Sequence, residues 1–163
     1  MLCAPGFPTS ADDPHKTFLL DHARALADAG IRVSVVCPAH PGAPRRQVFE
    51  AAAGIDVHRV RFAPAGVAAR IARGDSRRQF SGPAAVWVLP LTVALTWKAA
   101  RLARAGAQVV HGHWWFPCGA AAVAAGRLGR ARSVVHVHGT DLELTRGAVS
   151  RAAARLVGMN RRR

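Results

Sequence analysis

Two pairs of alternate histidines hold the residues of this chain best suited to chemistry. The first closes the run Gln108, Val109, Val110, His111, Gly112, His113, Trp114, Trp115, Phe116, Pro117, and the second closes Ser133, Val134, Val135, His136, Val137, His138, Gly139, Thr140, Asp141. Each run is β-branched, too short for a helix, and breaks at Gly or Pro beside polar or aromatic groups. That is the pattern of a buried parallel strand whose carboxyl end opens on a ligand crevice. An imidazole placed there can donate a hydrogen bond to a ligand or bind a metal ion.

His138 is the leading candidate for a catalytic role. Gly139 permits a sharp turn with positive φ, and Thr140 or Asp141 can cap a following helix whose N–H groups face an anion. The competing reading is a histidine that ends a strand and bonds backbone. His111 and His113 share one strand face around Gly112, where a ligand or another backbone can approach closely. His136 is expected on the opposite face, as a packing residue. Trp114, Trp115 and Phe116 form either an apolar platform for a ligand or plain core. The core reading is preferred for Trp115 and Phe116, while His113 and Trp114 stand as ligand contacts.

Two neighbouring His-x-His pairs also suit one metal ion, which would make a metal-dependent hydrolase. Such a site needs further carboxylate or histidine ligands, and Asp141 is the nearest acid in sequence, so no metal is assigned. A Cys118–His138 nucleophile pair lacks an evident orienting group.

The elements that must position these residues alternate. A helix follows the loop Pro8 to Lys16, with Leu19, Ala23, Leu26 and Ala27 at helical spacing, an Arg24–Asp28 pair, and Gly30 just past its end. Ile31 to Cys37 and Ile55 to Phe62 read as strands, the second interrupted by Asp56, His58, Arg59 and Arg61. Ala63 to Pro83 reads as loop with some helix. Pro83 to Ala105 is expected as a long helical region kinked at Pro90, Ala120 to Leu128 as a crossover helix, and Ser150 onward as a helix ending in three arginines. Alternating strands and helices imply an open, mostly parallel α/β sheet with right-handed crossovers.

At 163 residues and 50% hydrophobic, the chain suits one domain with a real core, residues 1–163. Two features lead to the expectation that it is incomplete at both ends. Only Leu2 to Ala4 remain of a first strand, so the true start is expected upstream of Met1, and no closing strand is read after the last helical segment. The net charge is +14, yet 21 of 23 basic residues are scattered arginines. One reading is a GC-rich coding sequence, and the other a basic face meeting an anionic membrane or phosphorylated substrate. Nothing specifies nucleic acid. Cys3, Cys37 and Cys118 are odd in number and far apart, against a disulfide framework or a local zinc site. With no signal sequence, and an apolar stretch Ala84 to Trp97 that is too short to span a bilayer and is interrupted by Pro90, the expected location is cytoplasmic, at most peripheral to the membrane's inner face.

The order Phe7-Pro8 loop, His15, Ala23-Arg24-Ala25-Leu26-Ala27, Gly30, Val33-x-Val35-Val36, then Val109-Val110-His111-Gly112-His113-Trp114 and Val135-His136-Val137-His138-Gly139-Thr140-Asp141, resembles the N-terminal half of family 4 glycosyltransferases. The resemblance covers nearly the whole chain. It implies the Rossmann-like, doubly wound N-terminal lobe of a GT-B fold, and retaining transfer of a sugar from a nucleotide-sugar, generally without a metal. It also implies that this lobe binds the acceptor, be it a sugar, a lipid-linked group or a small molecule. The nucleotide-sugar is a substrate rather than a cofactor, and a C-terminal donor lobe, absent here, would hold it, with a separately encoded lobe as the candidate partner. The isolated chain is then expected to be inactive. By the same resemblance His138 lies beside the transferred sugar, with His113, Trp114, Gly119, Gly139, Thr140 and Asp141 near the acceptor or sugar. Gly6, His15 and Lys16 rim the first loop, which lacks the family's frequent Gly-Gly pair. Two other readings remain beside this one: a non-catalytic α/β remnant or binding module, and the hydrolase above. Zinc content would separate the hydrolase from the rest.

Overall fold

A strand of two residues sits at the centre of the sheet. β1 (Leu2–Cys3) pairs in parallel with β2 (Ser34–Pro38) on one side and β5 (Val109–His113) on the other. Beyond them lie β4 (Ile55–Val60) and β6 (Arg132–His136), also parallel, and β3 (Arg46–Phe49) runs antiparallel along the β4 edge. The order is β3-β4-β2-β1-β5-β6. This is the architecture of a computed structural model that describes residues 1–15, 17–49, 54–73 and 82–138. Expectations for Lys16, for Gly139, Thr140 and Asp141, and for the helix from Ser150 fall outside the described residues.

Among the described residues four α-helices connect the strands: α1 (Thr17–Asp28), α2 (Ala65–Arg73), α3 (Val88–Arg104) and α4 (Ala120–Gly129). α1 buries Leu19, Leu20, Ala23 and Ala27 on one sheet face, with Val35, Ile55 and Val57 beneath. α3 and α4 cover the other, where Leu91 and Leu95 meet Val36, Cys118 and Ala121. Burying each leucine side chain contributes roughly 1.5 to 3 kcal/mol. Because the strand order reverses between β1 and β5, α1 and α4 leave the sheet on opposite faces, and a crevice opens at the carboxyl ends between those strands. Gly112 lets α4 begin close to β5: a Cβ there would stand 2.8 Å from the Cys118 carbonyl oxygen and the Gly119 Cα.

Local expectations change in four places. Arg24 pairs with Asp21 at 3.5 Å rather than with Asp28. Pro90 is the third residue of α3, in the first turn, where its missing N–H has no intrahelical acceptor to serve, so it does not kink the helix. Residues 82–87 form a separate 3-10 turn ahead of it. β3 was not foreseen, because Arg46, Gln47 and Val48 are exposed or half-buried and only Phe49 is core. Edge pairing with β4 and a two-pronged Arg46–Asp56 ion pair, at 3.0 and 2.9 Å, hold it instead.

The charged residues that break the β4 pattern have structural work. Arg59 is 3% exposed and donates to the Pro8 carbonyl (2.8 Å), the Pro44 carbonyl (3.2 Å) and Gln47 Oε1 (2.9 Å). Gln47 in turn donates to the Thr9 carbonyl. One guanidinium thus ties β4, β3 and the first loop together. Arg59→Ala strands those buried acceptors and is expected to cost about 2 to 4 kcal/mol, read as a lower denaturation midpoint. A loss below about 0.5 kcal/mol would show that water replaces the arginine without penalty.

Candidate functional site

The first loop is fixed before it reaches the crevice. Asp13 Oδ2 accepts from the Thr9 N–H and hydroxyl at 2.8 and 2.9 Å, and Oδ1 accepts from the His15 N–H at 3.0 Å. These bonds, the Thr9 N–H first, hold its carboxyl well below the usual carboxylate range. Asp13 therefore braces the loop, while the His15 side chain beside it is 87% exposed at the rim and Gly6 is half-buried.

From this rim α1 packs over Val35, Ile55 and Val57, and its Phe18 and His22 reach across to a row of imidazoles on the β5 side of the sheet. His111 and His113, two residues apart on β5, stack at 4.5 Å between ring centroids. His136 and His138 do the same at 4.5 Å. The stacking puts His136 on the same side as His138, which lies two residues past the end of β6, contrary to expectation. It is exposed, and its ring also lies 5.4 Å from that of His113. α1 adds His22, whose ring meets His111 at 5.5 Å and His113 at 5.3 Å, both nearly edge-on.

His138 sits at the open end of the row. Its Nε2 lies 3.3 Å from His113 Nδ1, its ring stacks on Trp114 at 4.1 Å, and Phe18 from α1 closes the side at 5.7 Å. Trp114 adopts φ 65° and ψ 136°, a conformation costing an L-residue about 1 to 3 kcal/mol. Two hydrogen bonds enforce it: Trp114 N–H to the His136 carbonyl at 2.9 Å, and Gly119 N–H to the Trp114 carbonyl at 2.8 Å. The strained backbone brings the indole onto His138.

Gly119 is buried at the start of α4, where a Cβ would meet Val135 Cγ1 at 2.8 Å and the Trp114 carbonyl oxygen at 2.9 Å. Trp115 is core at 8% exposure, and Phe116 is half-buried. Cys118 is fully buried in the α3-side core, across the sheet from the histidines, so it forms no nucleophile pair with His138.

Burial disfavours the charged form of three of these rings, His111, His113 and His138. It pushes His113 down to about 3, with His111 next in effect, and His111 down to about 4, with His22 next. His138 is lowered too, by burial and then by His136. At neutral pH these three rings are neutral donors and acceptors, suited to hydrogen-bonding a hydroxyl or a carbonyl.

Sequence reasoning missed His22 and Phe18. The signal for His22 was present: it falls three residues after Leu19, beside Ala23, inside the apolar stripe of α1.

On the other sheet face lies a cavity of about 470 Å³ lined by Arg45, Arg46, His58, Arg61, Trp97, Lys98 and Arg101 among others. Burial and then Arg101 lower the Lys98 ammonium. Next to it Val86, Leu89, Val93 and Trp97 are 69, 71, 59 and 63% exposed, one apolar stripe along α3 and the turn before it. Among the described residues the segment Ala85–Arg104 is long and apolar enough to cross a membrane, with mean hydropathy 1.2, though Leu91, Leu95, Ala99, Ala100 and Ala103 bury its other side.

A mostly parallel, doubly wound sheet with an imidazole and aromatic crevice at its switch point defines a Rossmann-like lobe of the kind found in GT-B enzymes. The chain belongs to the glycosyl transferase 4-like domain family, whose model matches residues 15–163. No curated protein matches it.

Proposed function

We propose that this lobe binds the acceptor for transfer of a sugar from a nucleotide-sugar, and that His138 hydrogen-bonds the transferred sugar. Family membership supports a transferase in general. The observation that carries the finer reading is the His138 imidazole, stacked on the strained Trp114 and aimed by His113 at the sheet's carboxyl edge. A neutral imidazole among aromatic faces offers a donor for a hydroxyl and apolar surface for the carbon face of a sugar ring. As the bond to the leaving diphosphate breaks, positive charge grows on the sugar, and groups fixed in place stabilise it without reorganising. His113 and Trp114 stand at this edge with Gly119 buried behind Trp114, and Gly6 and His15 belong to the first loop; Lys16, Gly139, Thr140 and Asp141 are assigned to the same site from their place in the sequence alone. A second lobe outside these 163 residues holds the nucleotide-sugar.

Equilibrium binding to the isolated chain tests the assignment. It should bind sugar or lipid-linked acceptors, weakened by Trp114→Ala, and release no nucleoside diphosphate at enzyme-like rates from nucleotide-sugars. Turnover by the isolated chain, or tight nucleotide-sugar binding without acceptor binding, would overturn the division of labour.

The apolar stripe and basic cavity on α3 support peripheral contact with an anionic membrane, where a lipid-linked acceptor would be met. Each basic side chain near such a surface contributes about 1 kcal/mol. The chain should co-sediment with vesicles containing anionic lipid, less at high salt, and blue-shift Trp97 emission. Equal binding to neutral vesicles would rule this out.

A further inference from the structure

We infer that His22, His111 and His113 form a zinc site, with the fourth position open to water. Three observations carry it. One ring nitrogen from each residue lies within 4.8 Å of one from each of the others. Among the described residues, the Nε2 atoms of all three are buried and have no hydrogen-bond partner. His113 itself is 2% exposed, so its nitrogen has no water to turn to. A buried ring nitrogen without a partner costs roughly 1 to 3 kcal/mol, and three in one cluster are hard to account for unless something bonds them.

Three imidazoles are the ligand set of an open, borderline-soft site. Zn–N bonds of about 2.0 to 2.1 Å put tetrahedral ligand atoms about 3.3 to 3.4 Å apart, so rotation of the rings must close the spacing by up to about 1.5 Å. His22 makes the difference from the sequence-level reading. Two residues on one strand face, stacked and nearly parallel, give only two ligands, and α1 brings the third in edge-on. Coordination through His113 Nε2 leaves the proton on Nδ1, which then donates to His138 Nε2 across the 3.3 Å contact. Zinc would thereby fix the tautomer of His138, with its own proton on Nδ1. The site stands whether or not His138 meets a sugar.

The test uses the full 163-residue chain after removal of metal by chelation. Competition against a chromophoric chelator should give one zinc per chain, and cobalt should give the intense visible spectrum of a four-coordinate site. Zinc should raise the melting temperature. His22→Gln should weaken zinc binding by at least about a hundredfold, beyond the roughly 10- to 100-fold cost of losing a partner outside the ligand set. His136→Ala should leave binding unchanged, and ¹⁵N shifts of His138 should report Nδ1–H only with zinc present. Comparing melts of the metal-free proteins shows that His22→Gln is folded, and His111→Gln serves as the second ligand variant. Binding no tighter than tens of micromolar overturns the proposal. So does loss of binding in His136→Ala with His22→Gln unaffected, which would place the ion among His113, His136 and His138 instead.

Discussion

His138→Ala, in an enzyme that includes the donor lobe, is expected to lower turnover about a hundred- to a thousandfold while changing donor binding little. Loss of one well-placed donor to a developing charge costs about 2.7 to 4 kcal/mol. If that bond is stronger in the transition state than in the ground state, kcat falls and KM does not rise in step. A purely structural histidine behaves otherwise, with a lower melting temperature and near-normal turnover. Arg59→Ala is the comparison to run beside it, because Arg59 is buried in loop-bracing bonds. His136 is unsuitable for that role, since its ring stacks on His138. If losses in rate follow losses in stability equally for His138→Ala and Arg59→Ala, the catalytic assignment fails.

The metal-free chain is expected to lose stability steeply as pH falls from about 6.5 toward 4. Unfolded, His111 and His113 take up protons near 6.5; folded, burial holds them at about 4 and about 3. The unfolded state therefore binds more protons throughout this window, so stability is complete above pH 6.5 and drains away below it. Each group contributes up to roughly 1.4 kcal/mol per pH unit, and together they amount to a few kcal/mol. The groups facing them from packed elements are His22 on α1, and His136 and His138 at the end of β6. Asp13 acts in the same direction at lower pH, below its unfolded value of 3.8. Urea midpoints at pH 7, 5.5 and 4.5 measure the effect, and His113→Asn should flatten the profile. A midpoint unchanged between pH 7 and 4.5 would mean that the row is solvated.

Strand periodicity made most of the fold legible. The runs at Val33 to Cys37, Val109 to His113 and Val134 to His138 are β-branched and lie between Gly or Pro breaks, and α1 ends where Gly30 takes φ +79°. β3 was illegible because an edge strand needs apolar residues on neither face, and Arg46 owes its place to Asp56, ten residues away. Arg59 looked like a defect in a strand. Its partners, Pro8 and Gln47, come from segments that only folding assembles.

The sequence by itself determined the parallel α/β architecture, the pairing of His111 with His113 on one face, and the position of His138 at a strand's carboxyl end. Strand alternation and helical periodicity are local properties, and a single run of residues displays them. Only the tertiary structure decided that all four strand histidines share the face under α1, that His22 joins them, and that the indole of Trp114 lies flat on His138. Those contacts depend on which strands are neighbours and on which face each crossover helix lies. That is fixed by where the strand order reverses, and no window of sequence contains it.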